Sequence, residues 1–108
     1  MKKILTIGLI VALTTFTYAA NYTGQTKITK VMTYPGVTVF SVDVDTTGCA
    51  FGNKKYLILD TSTTDGRLVY TAILTAFTTG GKVEIAYDGC RNWWSATLPI
   101  AYRIDMMK

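Results

Sequence analysis

Two cysteines, Cys49 and Cys90, constrain this chain more than any other feature, and their meaning depends on what precedes them. The opening stretch MKKILTIGLIVALTTFTYAA has Lys2 and Lys3, then a mostly apolar run from Ile4 to Leu13, then small and polar residues. This is the layout of a secretory signal, and its apolar run is shorter than the roughly 20 residues that a membrane span needs. Thr17 and Ala19 place small residues at minus three and minus one of a cut after Ala19, whereas a cut after Ala20 would put Tyr18 at minus three. Residues 1–19 are therefore expected to be a signal peptide and residues 20–108 one secreted or periplasmic domain without stable membrane insertion. An oxidising compartment favours a bridge between the cysteines, and so small a domain gains much from one. Pairing Cys49 with Cys90 closes a loop of about 42 residues, for which the chain-entropy relation gives about 4 kcal/mol. Metal-binding or reactive thiols are the competing reading, but histidine is absent and no CxxC spacing occurs. No metal and no cofactor is expected.

The segment QTKITKVMTY, residues 25–34, is rich in β-branched and aromatic residues and stops at Pro35-Gly36, so it reads as a strand ending in a turn. In VTVFSVDVD, residues 37–45, Phe40, Val42 and Val44 alternate with Ser41, Asp43 and Asp45, the pattern of a half-buried second strand. KYLILD, residues 55–60, is a short third. The period then changes: Val69, Ala72, Ile73, Ala76 and Phe77 fall on one stripe of an amphipathic helix. Caps are available at Ser62 to Asp65, and Gly80-Gly81 supplies the stop. Lys82 to Asp88 reads as strand four, and Thr97 to Met106 as strand five, with Leu98, Ile100, Tyr102, Ile104 and Met106 on one face. Three strands, a helix and two strands is the order of an OB-fold-like, mainly β, five-stranded Greek-key barrel with its helix between strands three and four. An open α+β sheet with the helix across one face fits the same periodicity.

Catalysis has little to work with here, because without histidine there is no ordinary Ser-His or Cys-His nucleophile pair. Asp43 and Asp45 share a strand face, but two carboxylates flanking a valine are more simply a solvated face than a glycosidase pair. The chain is read as not an enzyme. Loss of Lys2 and Lys3 lowers the formal charge from +4 to +2, too small an excess for a phosphate backbone, and nucleic acid is not an expected partner. Aromatic and polar side chains remain, and these suit sugars: flat rings stack on a pyranose while amides, hydroxyls and guanidinium groups bond its rim. Arg91, Asn92, Trp93, Trp94 and Ser95 fall in the loop expected between strands four and five, and Tyr34, beside the Pro35-Gly36 turn, is the tyrosine expected in water. Adjacent residues of an extended segment point to opposite sides, so one of the two indoles should close a core and the other face outward. Tyr87 and Tyr102 follow the apolar alternation of their strands and read as core or interface rather than ligand contacts. On the helix, Thr71, Leu74, Thr75 and Thr78 carry no charge, which fits either a threonine-rich surface or packing against other copies of the chain.

The signal segment, Thr46-Thr47-Gly48-Cys49 and YTAILTAFTTGGKVEIAYDGC from Tyr70 to Cys90 together resemble small exported bacterial proteins similar to the B subunits of subtilase cytotoxin and pertussis-like toxins. The likeness lies in a helix ending in a Thr-Gly-Lys-like turn that leads into a strand and then a cysteine. It implies a barrel of the same class with a Cys49–Cys90 bridge, assembled as a homo-oligomer of five with helices lining a pore. It also implies binding of sialylated or related glycans and a separate enzymatic A-type subunit. None of that family's glycan-contacting residues is carried over to a position here. A periplasmic or surface protein-interaction domain without a small ligand is the alternative.

Overall fold

The computed structural model describes residues 21–49 and 52–108; the expected signal peptide, residues 1–19, lies outside them. After a short strand β1 (Asn21–Tyr22), β2 (Ile28–Tyr34) turns into β3 (Val37–Val42) through Pro35-Gly36. Proline fixes φ at the first corner, and Gly36 takes φ 76°, the positive value a type II turn requires at its second. β4 (Tyr56–Asp60) pairs antiparallel with β3, and a three-residue link leads to helix α1 (Thr64–Thr79). Thr63 caps the helix by accepting a hydrogen bond from Gly66 N–H at 3.0 Å, and Gly80 ends it in the left-handed conformation at φ 70°. β5 (Val83–Trp93) and β6 (Ala96–Met106) then form a long antiparallel hairpin.

The chain is mainly β, but the closed five-stranded barrel is corrected. Six strands form one mixed sheet in the order β1-β5-β6-β4-β3-β2, with β4 and β6 parallel, and the sheet is not closed. The reason lies in the expected first strand, residues 25–34. Asn21 and Tyr22 pair with β5, Gly24 turns the chain at φ 72°, Thr26 makes a single bridge to Val83, and β2 pairs only with β3. Thr26 is the junction: its backbone exchanges two 2.8 Å hydrogen bonds with Val83, while its hydroxyl donates to the Asp43 carboxylate and accepts from Asp43 N–H. The Thr26 hydroxyl holds the Asp43 carboxyl below the usual carboxylate range, helped by Lys27 N–H. Asp45 forms a 3.1 Å ion pair with Lys55. Both aspartates thus brace the end of β3, which stops at Val42 rather than at residue 45.

Strand β3 is buried along its whole length, Ser41 included, because both faces of the sheet are covered. On one side Phe40, Val42, Leu57 and Leu59 pack with Ile73 and Ala76 of the helix and with Val83, Ile85 and Tyr87. On the other, Val37, Val39, Ile58 and Leu98 form a second, smaller core. The expected helix stripe holds at Val69, Ala72, Ile73 and Ala76, joined by buried Gly66, whereas Phe77 at its edge is 44% exposed. Strand β6 departs most from simple alternation. Ala86 opposes Arg103 but Tyr87 opposes Ala101, so Tyr102 is the extra residue of a β-bulge. Before the bulge Leu98 serves the second core, with Ile100 packed against it, and Ala101 alternates to the helix side. Past the bulge, Ile104 joins the helix side too. Tyr102, expected in a core or an interface, is 46% exposed and so lies outside this chain's core.

Candidate functional site

Strand β5 runs beyond the expected end at Asp88, because Asp88 and Gly89 are accommodated by a register shift and the ladder resumes at Cys90 opposite Pro99. Gly89 has φ 75°, which a residue with a side chain would adopt only under strain. Arg91, Asn92 and Trp93 consequently lie in strand, opposite Leu98, Thr97 and Ala96. Only Trp94 and Ser95 form the turn, so the expected five-residue loop is corrected to a two-residue hairpin. Such turns need a positive φ, and here a tryptophan supplies it: Trp94 has φ 59°, alone among the described non-glycine residues. An L-residue held in this region costs about 1–2 kcal/mol.

Pairing decides which way each side chain faces. Arg91 opposes Leu98 and Trp93 opposes Ala96; Leu98 belongs to the second core, and Trp93 and Ala96 pack against it, so Arg91 and Trp93 lie over that core. Trp93 is half-buried, with its ring edge-on to Tyr34 at 5.1 Å between centroids. Tyr34 is therefore half-buried too, rather than free in water. Trp94, 6.5 Å from Trp93, is 84% exposed. One indole closes a core and its neighbour stands outside it. Asn92 alternates to the opposite side of the strand from Trp93, and Ser95 is exposed on the turn. The structure thus brings together Tyr34, Trp93, Trp94 and Arg91, and does not bring Asn92 to the same face.

Sequence reasoning missed Asp60 and Ser62. Asp60 ends β4 opposite Val37, which itself opposes Tyr34. Its Oδ1 accepts from Ser62 N–H at 2.9 Å and Ser62 Oγ at 2.5 Å. These two donors, with a smaller contribution from the Arg91 charge, hold its carboxyl below the usual range. The Asp-Thr-Ser spacing is a recognisable local hydrogen-bonding turn, but only the sheet register sets it on the face of Tyr34, two strands away. An apolar cleft of about 230 Å³ between the first turn of α1 and β6 adjoins Asp60, with Val69, Ile100 and Tyr102 among its walls.

Cys49 and Cys90 are joined as a disulfide with Cα atoms 5.9 Å apart. The bridge ties the segment after β3 to β5, beside a cleft of about 210 Å³ whose walls include Asn21, Thr47, Tyr87 and Asp88. The buried Tyr87 hydroxyl accepts from Thr47 N–H at 3.0 Å, a second anchor for the same segment. On the outer face of the β1-β5-β6 region, Arg103 lies over the Tyr22 ring at 5.4 Å. It also pairs with Asp105 at 3.1 Å, and that carboxylate raises its pKa further. No group of three or more metal-ligating side chains occurs among the described residues. Nor is any helix among them long and apolar enough to cross a membrane. Compared with protein-family models, curated proteins and solved structures, the chain matches none of them.

Proposed function

We propose that the chain is an exported, non-catalytic binding module that recognises a glycan at the tip of the β5–β6 hairpin. The observation that carries this reading is Trp94: a large aromatic side chain, 84% exposed, at a turn position where its backbone is strained. Strain of this kind persists at functional sites because the surrounding structure enforces it. An exposed indole backed by Trp93 and Tyr34 offers a rigid face for the apolar side of a pyranose, with Arg91 as a donor for its hydroxyls. Asn92 and Ser95 serve the flanks of the tip. The order of strands around α1, the parallel β4–β6 contact and the Thr26–Val83 bridge support kinship with partly open OB-fold-like barrels. The test is a printed glycan array probed with wild type and Trp94→Ala. Wild type is expected to bind a defined set of glycans and the variant to lose at least about tenfold of that affinity, the loss of roughly 1.4 kcal/mol. Absence of wild-type binding at every printed density would end the proposal.

A second reading, self-association, is favoured by the helix. From Leu68 to Thr79 no residue is charged, and Thr71, Thr75, Thr78 and Thr79 each donate to the carbonyl four residues earlier at 2.7 to 3.0 Å. Their hydroxyls are thereby satisfied within the helix, and the outer face they share with exposed Leu68 carries no charge to keep other copies away. The resemblance to toxin B subunits points to a ring of five and to a separate A-type subunit as partner. Native mass of the purified protein is expected to be a multiple of the processed chain; a monomer at every concentration would contradict this reading and leave the tip site unaffected.

A further inference from the structure

A row of paired positions crosses the sheet beneath the aromatic tip: Tyr34 opposes Val37, and Val37 opposes Asp60. Directly paired residues of antiparallel strands project on the same side, so the Asp60 carboxylate emerges on the face that carries Tyr34 and Trp93. Ile58, two residues earlier on β4, lies on this side as well, packed in the second core with Val37 and Leu98. Asp60 is exposed. Its Oδ1 is taken up by the two bonds from Ser62, which fix the carboxylate plane and leave Oδ2 without a hydrogen-bond partner among the described residues. Ser62 stands beside the Pro35-Gly36 turn, its Cβ 3.9 Å from where a Gly36 side chain would begin. Arg91 lies on the same face from β5, opposite Leu98 of the second core, and no ion pair joins it to Asp60.

We infer that Asp60 is a specificity-determining residue of the tip site and that the ligand is a neutral hexose whose adjacent hydroxyls donate to Asp60 Oδ2 and accept from Arg91; this rests on the glycan reading above. A carboxylate only accepts and a guanidinium only donates, whereas a sugar hydroxyl does both. The charges of Arg91 and Asp60 are opposite, so an acidic sugar placed between them gains from Arg91 and loses to Asp60. A neutral diol meets both without that loss. The Ser62 donors keep Asp60 ionised and so an acceptor throughout the neutral range. The chemistry of the face therefore differs from the sialylated ligands that the sequence resemblance implies.

The experiment is an array of immobilised neutral hexosides alongside sialylated and uronate-bearing glycans, probed with wild type, Trp94→Ala, Asp60→Asn and Ser62→Ala. Asparagine keeps the Oδ1 acceptor that Ser62 uses and replaces Oδ2 by a donor, so the turn is retained while the ligand contact is reversed. Wild type is expected on neutral hexosides and not on acidic ones, with Asp60→Asn weakening binding at least about tenfold and Ser62→Ala by a smaller factor. Wild-type binding confined to acidic glycans overturns the neutral class. Asp60→Asn binding as wild type while Trp94→Ala does not overturns the role of Asp60 and leaves the glycan reading standing. No wild-type binding to any spot removes the glycan reading itself. Thermal unfolding of Asp60→Asn within a few degrees of wild type is the expected control; should it unfold, Ser62→Ala carries the test, and its wild-type affinity would overturn the proposal.

Discussion

Replacing Cys49 and Cys90 together by serine is expected to lower the melting temperature by about 15–30 °C. The bridge spans 41 positions of sequence and joins the segment after β3 to β5. Removing so long a constraint returns about 4 kcal/mol of conformational freedom to the unfolded chain, against a total stability of roughly 5–15 kcal/mol for a natural domain. Within the folded chain the bond from Thr47 N–H to Tyr87 is the other tie at this point, worth about 1 kcal/mol, and it does not replace the bridge. Thermal unfolding followed by near-ultraviolet circular dichroism reads the shift. A drop of less than about 5 °C, or about 1 kcal/mol for a domain of this size, would show that the clasp is not what holds so small a sheet.

The Gly66→Ala variant is expected to lose about 2 kcal/mol, since overpacking at the upper end of about 1–3 kcal/mol competes with a propensity gain of about 1 kcal/mol. Alanine is favoured over glycine inside a helix by about 1 kcal/mol. A Cβ at position 66, however, would lie 1.7 Å from the carbonyl oxygen of Asp60 and 2.9 Å from its carbon. Both are backbone atoms at the end of β4, so no side chain can rotate away; the first turn of α1 must lift off the sheet. That movement disturbs the Thr63 cap and the packing of Val69. The clash outweighs the propensity gain. Urea unfolding checks the sign directly, since a Gly66→Ala protein as stable as wild type would mean that helix and strand do not meet so closely.

Much of this architecture is legible in the residues, and the failures have physical causes. The Pro35-Gly36 turn, the Gly80 stop and the Thr63 cap each depend on local backbone chemistry, which a sequence displays. That Tyr102 stands outside the core is not legible, because a bulge shifts alternation by one residue and nothing in an apolar-polar pattern marks where a strand slips. The Arg91–Ser95 segment read as a loop because Asp88-Gly89 resembles a strand end. The ladder across it to Cys90 is a tertiary outcome, set by pairing with β6. The split between the two tryptophans was legible from alternation alone. Which one faces outward was not, since it depends on a core built from β3, β4 and β6. Asp60 was overlooked for the same reason: its nearness to Tyr34 exists only through the register of three strands.

Trp94 is where stability and recognition pull in opposite directions, and substituting it by glycine separates them. Glycine adopts φ 59° without the Cβ penalty, and an indole that is 84% exposed takes little buried surface with it when removed. Trp94→Gly is expected to raise stability by about 1 kcal/mol, or roughly 4–8 °C in melting temperature, while abolishing binding on the glycan array. A variant that melts higher and no longer binds is what a strained, ligand-facing tryptophan predicts. A variant that melts lower, or binds as wild type does, would contradict the claim that the hairpin tip holds this ring outward for recognition.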